Sequence, residues 1–254
     1  MLNALFSLYR MFNFETNCFI LKKLLLASTS TIHGSDYLDY LKPALIEHFA
    51  GIKRLIFIPF ARPGGVSHEL YTAKARKFFK ELDIEVFGLH EFRDPVKIIA
   101  QAEAIFTGGG NTFLLVEQLY QHKVMAILRD RLYENMPYLG TSAGSNIAGI
   151  SMQNTNDMPI VYPPSFKTLG AVPFNINAHY MDPDPNSTHM GETRETRIKE
   201  FHQFNNIPVV GLREGSWIEA HRRTYTLRGP HSARIFEAGK IPYEIETGSE
   251  ITVS

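Results

Sequence analysis

The chain has 254 residues, 44% of them hydrophobic, with 26 Lys and Arg balanced by 26 Asp and Glu and a single cysteine, Cys18. Balanced charge without a block of one sign excludes a polyanion-binding surface. The lone cysteine excludes an intrachain disulfide and suits a reducing compartment such as the cytoplasm, and the chain contains no run of about 18 apolar residues that could span a membrane.

Residues 1–20 are apolar, but they lack a basic leading region and are interrupted by Arg10, Asn13 and Glu15, so they read as an extension and not as a signal peptide. A single catalytic domain is expected over 21–254, because no Pro/Gly/Ser-rich linker or internal repeat divides it. Residues 22–28 predict the first core strand. A helix follows over 37–49 with Tyr40, Leu41, Leu45 and Ile46 on one face, then a buried strand over 53–59, a helix over 68–82, a short strand over 84–87 and a helix over 95–102. Residues 102–107 read as a strand that runs into Gly108-Gly109-Gly110-Asn111-Thr112 and then an apolar-periodic helix carrying Phe113, Leu114, Val116, Leu119 and Tyr120. Consecutive glycines let the backbone approach a ligand closely and aim N–H groups at one point, as an oxyanion hole requires. Asn111-Thr112 is also an ordinary helix N-cap. No Gly-Lys-Ser/Thr follows, nor a G-x-G-x-x-G with an acid about 20 residues on, so no nucleotide fingerprint is present.

The next strand-turn-helix is Gly140-Thr141-Ser142-Ala143-Gly144, after the apolar run 136–139. A serine between glycines at such a turn is a nucleophile elbow: the strained backbone is tolerated only where the neighbours lack bulk. Another strand ends at His179. Residues 209–211, 224–227 and 233–236 read as strands of an antiparallel edge closing the sheet. Alternating strands and helices predict an α/β sandwich, its mainly parallel sheet covered on both faces and its site at the carboxyl ends of the strands.

A serine hydroxyl needs a base to become a nucleophile, and that base needs an orienting group. Of ten histidines, His48, His122 and His202 lie on helical patterns with polar neighbours, whereas His179 closes a strand and is the best-placed base. Glu214, between a buried strand and Gly215, is the candidate acid. Asp157 competes with it, or forms an Asx-type turn before Pro159. No histidine pair at i, i+4 and no cysteine cluster calls for a metal, and no cofactor is expected.

With these residues in place the chain resembles the peptidase E family of aspartyl dipeptidases, serine peptidases that remove an N-terminal aspartate from dipeptides. The resemblance spans about residues 21–236 and rests on six colinear segments: 108–113, 140–146, 155–161, 176–179, 191–197 and 211–217. It implies a triad of Ser142, His179 and Glu214, and a sandwich like that of the class I glutamine amidotransferases. It also implies substrate contacts at Asn111, Asp157 and Arg194, with Arg194 taking the substrate's side-chain carboxylate. A guanidinium fork suits that task. Backbone N–H groups of Ala143 and of the Gly109/Gly110 turn are the expected oxyanion donors. Thr141 and Ala178 stand where the best-known members carry an aromatic residue and a proline. Rival readings are a cyanophycinase-like or isoaspartyl hydrolase with the same triad, and a non-catalytic protein that binds a small acidic ligand. The expected partner is a small-molecule substrate, with no nucleic acid or membrane; a homodimer is left open.

Overall fold

The computed structural model describes residues 22–253 except 184, 185, 187, 189 and 190. The extension over 1–20, with Cys18, and His189 lie outside the described residues.

Five strands form a parallel array: β1 (Lys23–Ala27), β2 (Arg54–Ile58), β3 (Glu85–Gly88), β4 (Ile105–Thr107) and β5 (Tyr138–Thr141), in the order β3-β2-β4-β5-β1. Each strand is a near-continuous apolar run because both faces are covered. Alternate side chains nevertheless go to opposite sides. Leu24, Leu26, Ile56, Ile58, Ile105 and Tyr138 pack with α3 (Pro95–Gln101), α4 (Thr112–Gln121) and α5 (Met125–Tyr133) through Ile99, Leu115, Leu119 and Leu128. Leu25, Leu55, Phe57, Phe106 and Leu139 pack on the other face with Leu45 of α1 (Lys42–His48) and Tyr71, Ala75 and Phe79 of α2 (His68–Lys80).

The later strands divide differently from expectation. Strands β8 (Trp217–His221) and β9 (Thr224–Arg228) do extend the first sheet antiparallel from β1. Residues 209–212 and 233–236 do not: as β7 (Val209–Leu212) and β10 (Ala233–Phe236) they belong to a second sheet with β6 (Asn175–Ala178) and β11 (Tyr243–Ile245), in the order β11-β10-β7-β6. Both edges of β1 are already occupied, by β5 and β8, so β7 has no place there and pairs in parallel with β6 instead. Apolar alternation identifies a strand but not its partner. Ile176, Val210, Leu212 and Ile235 of the second sheet share the core of the first, so the two sheets form one domain.

Buried Ser28, just beyond β1, joins the sheets. Its hydroxyl donates to the Leu212 carbonyl at 2.8 Å and accepts the N–H of His179 at 2.8 Å. The carboxyl ends of β1, β6 and β7 therefore meet at one point, beside those of β4 and β5. Among the described residues no helix is long and apolar enough to cross a membrane.

His48, expected among polar neighbours, is buried at 8% exposure, its Nε2 donating to the Tyr138 carbonyl at 3.1 Å. Burial, then the charge of Lys23, pulls its pKa down to about 3 from an ordinary 6.5. Because the unfolded chain binds the proton more readily, stability is full above pH 6.5 and is lost as pH falls from there toward about 3. His48→Gln keeps a donor without the titration. Urea unfolding is expected to show the native protein losing about 1 kcal/mol more than the variant between pH 6 and 5. Parallel pH profiles would contradict this.

Candidate active site

The elbow is built by close backbone contacts. Ser142 has φ 53° and ψ −113°, a conformation that costs a side-chain-bearing residue about 1–3 kcal/mol. Its N–H donates to the Ala27 carbonyl at 3.1 Å, and its carbonyl accepts the N–H groups of Ser145 and Asn146, both at 2.9 Å, as α6 (Ala143–Asn146) begins. Gly140 and Gly144 must be glycine. A Cβ on the first would lie 2.5 Å from the Gly144 carbonyl oxygen, and one on the second 2.1 Å from that of Thr107. The hydroxyl is thereby lifted off the sheet at the start of a helix.

His179 also has a positive φ, 55°, and is held there by its N–H bond to Ser28. Its Nε2 lies 2.9 Å from Ser142 Oγ and its Nδ1 2.5 Å from Glu214 Oε1. A carboxylate only accepts, so the neutral ring carries its proton on Nδ1 and turns the lone pair of Nε2 to the hydroxyl. Glu214 reaches the ring from a turn after β7, closed by Ser216 N–H to the Arg213 carbonyl at 3.1 Å, with Gly215 at φ 85°. Arg213 does not compete for it, being paired with Asp182 and Glu244. Tyr40 lies nearby: burial and then the Glu214 charge raise the pKa of its hydroxyl, which donates to the Thr29 carbonyl at 2.6 Å. Of the two candidate acids, then, it is Glu214 that meets His179.

Asp157 is engaged elsewhere, accepting from the backbone N–H of Thr112 at 2.8 Å and the Thr155 hydroxyl at 3.0 Å. A carboxylate suits the positive end of α4. Asn111 caps that helix, accepting from Leu114 N–H at 3.0 Å, and donates to the Met158 carbonyl at 2.8 Å. Both ends of its amide thus fasten loop and helix together. Arg194 opens α7 (Arg194–Phe201) and, among the described residues, has no hydrogen bond or ion pair. Burial, then repulsion from Arg197, lowers the pKa of this half-buried cation, opposed by the nearby charges of Asp157 and Glu214.

The glycine turn requires one correction. The N–H of Gly109 is not open to an oxyanion, because it donates to the buried hydroxyl of Tyr71 at 2.9 Å. The residue matters for its missing side chain, since a Cβ would come within 2.9 Å of Ser142 Cβ. Gly110, at φ 146°, packs so tightly on the Ala61 carbonyl that a Cβ would sit 2.2 Å from its oxygen. Among the described residues the N–H groups of Gly110 and Ala143 have no hydrogen-bond partner.

Sequence reasoning missed Ser28, Tyr71 and Asn146. Asn146, buried, accepts from Ala178 N–H at 3.2 Å and donates to the Thr112 hydroxyl at 3.1 Å, linking the elbow to the strand of His179 and to α4. Its place four residues after Ser142, one helical turn along, was the available signal. Among the described residues no group of three or more His, Cys, Asp or Glu could hold a metal ion.

Comparison with known proteins bears on this geometry. The sequence model of peptidase family S51 matches residues 24–228. Peptidase E of Streptomyces coelicolor is 45% identical over 229 residues, covering 90% of this chain and 93% of the relative. The Drosophila melanogaster protein named "Probable alpha-aspartyl dipeptidase" is 41% identical over 234 residues, covering 91% and 96%. The crystal structure of a peptidase from an acI-B1 actinobacterium superimposes with a TM-score of 0.68 at 16% identity, over 92% of this chain and 98% of that one, and so shares the fold. By the family match and by these relatives, the chain belongs to peptidase family S51.

Proposed function

We propose that this protein is a serine dipeptidase that removes N-terminal aspartate from Asp-X dipeptides through an acyl-enzyme on Ser142. The names of its relatives support that substrate class. The observation that carries the reading is the unbroken line from Glu214 through His179 to the Ser142 hydroxyl, with the charge of Arg194, which has no ion pair among the described residues, near enough to Glu214 to be felt.

In this mechanism Ser142 Oγ attacks the scissile carbonyl while His179 Nε2 takes its proton, and the N–H groups of Gly110 and Ala143 hold the oxygen that becomes negative. The imidazolium then gives its proton to the leaving amine as the C–N bond breaks. Water, deprotonated by the same nitrogen, hydrolyses the ester and frees aspartate. Glu214 fixes the tautomer of the ring and stabilises its charged form. Arg194 pairs with the aspartate side chain, offering a planar fork that no carboxylate among the described residues occupies.

Ser142→Ala is expected to lower kcat on Asp-Leu by at least about 10⁴-fold, followed by chromatography of released aspartate, with the folded state retained. Undiminished turnover would refute the nucleophile. Arg194→Lys is expected to lower kcat/KM on Asp-Leu by about 10- to 100-fold, since one ammonium cannot reproduce the fork. A panel of Asp-X, Glu-X and β-aspartyl dipeptides tests the substrate class, and preference for the β-linked isomers would overturn it.

A further inference from the structure

We propose that Arg62 binds the C-terminal carboxylate of the substrate and so restricts cleavage to dipeptides. The inference rests on the dipeptidase reading of Ser142 and adds a second charge to the one assigned to Arg194.

Strand β2 neighbours β4, and β4 neighbours β5, which ends at Ser142. Just beyond β2, the Ala61 carbonyl accepts Asn111 N–H at 2.7 Å and lies against Gly110. Arg62 therefore begins beside the very turn that carries the open N–H of Gly110. Its guanidinium lies over the ring of Tyr71, 4.7 Å from the centroid, and the hydroxyl of that ring holds Gly109. Such stacking fixes the head group without neutralising it. Among the described residues Arg62 has no carboxylate partner, and its buried Nε has no hydrogen bond at all. Arg62 lines an open pocket of about 410 Å³ with Phe60, Leu114, Gln118, Ile160 and Val161. Leu114, which lines it, donates its N–H to the side chain of Asn111, the residue that follows Gly110.

The reach is consistent. Strands two places apart are separated by about 10 Å. In a dipeptide the terminal carboxylate follows the scissile carbonyl by one residue, about 3.5 Å, which leaves the remainder to the serine on one side and a charge-assisted pair on the other. In a tripeptide a neutral amide falls at that place and the carboxylate moves one residue on. Neither arginine has an ion-pair partner among the described residues, and the two come from different sheets, Arg62 from beyond β2 of the first and Arg194 from the helix whose Ile198 packs against Val209 of the second. They match the two carboxylates of an Asp-X dipeptide.

The test compares Asp-Leu with Asp-Leu-amide, which lacks only the terminal charge. The unmodified protein is expected to favour the free acid by about 10- to 100-fold in kcat/KM. Arg62→Met is expected to abolish that preference by lowering the value for the acid while leaving the amide unchanged, and Arg62→Lys to restore part of it. Unchanged amide turnover also shows that the variant is folded. Equal loss on both substrates would assign Arg62 to the support of Tyr71 and overturn the proposal, as would no loss, or an unmodified protein indifferent to the amide. If the unmodified protein cleaves neither compound, the dipeptidase reading itself fails, and this inference with it.

Discussion

The arrangement depends on the hydroxyl of Ser28. It is the polar link between the carboxyl end of β1 in one sheet and the ends of β6 and β7 in the other, accepting from His179 and donating to Leu212. Nucleophile and base belong to different sheets, so their 2.9 Å separation is set by how those sheets dock. A buried group with both its hydrogen-bonding functions used is costly to displace. The register of that docking is therefore fixed by chemistry as well as by the apolar surface that the sheets share.

Around this joint the backbone is packed more tightly than any side chain would permit. Gly140, Gly144, Gly109 and Gly110 each face a carbonyl or the nucleophile itself at distances no Cβ could adopt. Two side-chain-bearing residues, Ser142 and His179, are held in the left-handed region. Strain of this kind persists only where the surroundings over-determine it. Here they do: Ser142 is held through Ala27, Ser145 and Asn146, and His179 through Ser28 and Glu214.

Much of this was legible in the residues. Glycines flanking a serine, a histidine ending an apolar strand and a glutamate before a glycine turn each carry a local signature, and the structure brings all three together. What could not be read was pairing between distant segments. Residues 209–212 and 233–236 have the pattern of edge strands, and nothing local says that β1 is already paired on both sides. His48 sits on a helix among polar neighbours in sequence, yet the face it shares with Leu45 is turned into the core. The Gly109 donor was misjudged for a related reason: the tyrosine that takes its N–H lies 38 residues away in sequence on α2.

The bond between Tyr71 and Gly109 has a thermodynamic corollary. Three successive residues without side chains would, in an unconstrained loop, rotate their peptide planes among many orientations, and aligning them on arrival of a ligand would cost entropy each time. One phenol, buried among the aromatic rings beneath the sheet, removes that freedom while the chain folds. The rearrangement is completed once per molecule and not once per catalytic cycle.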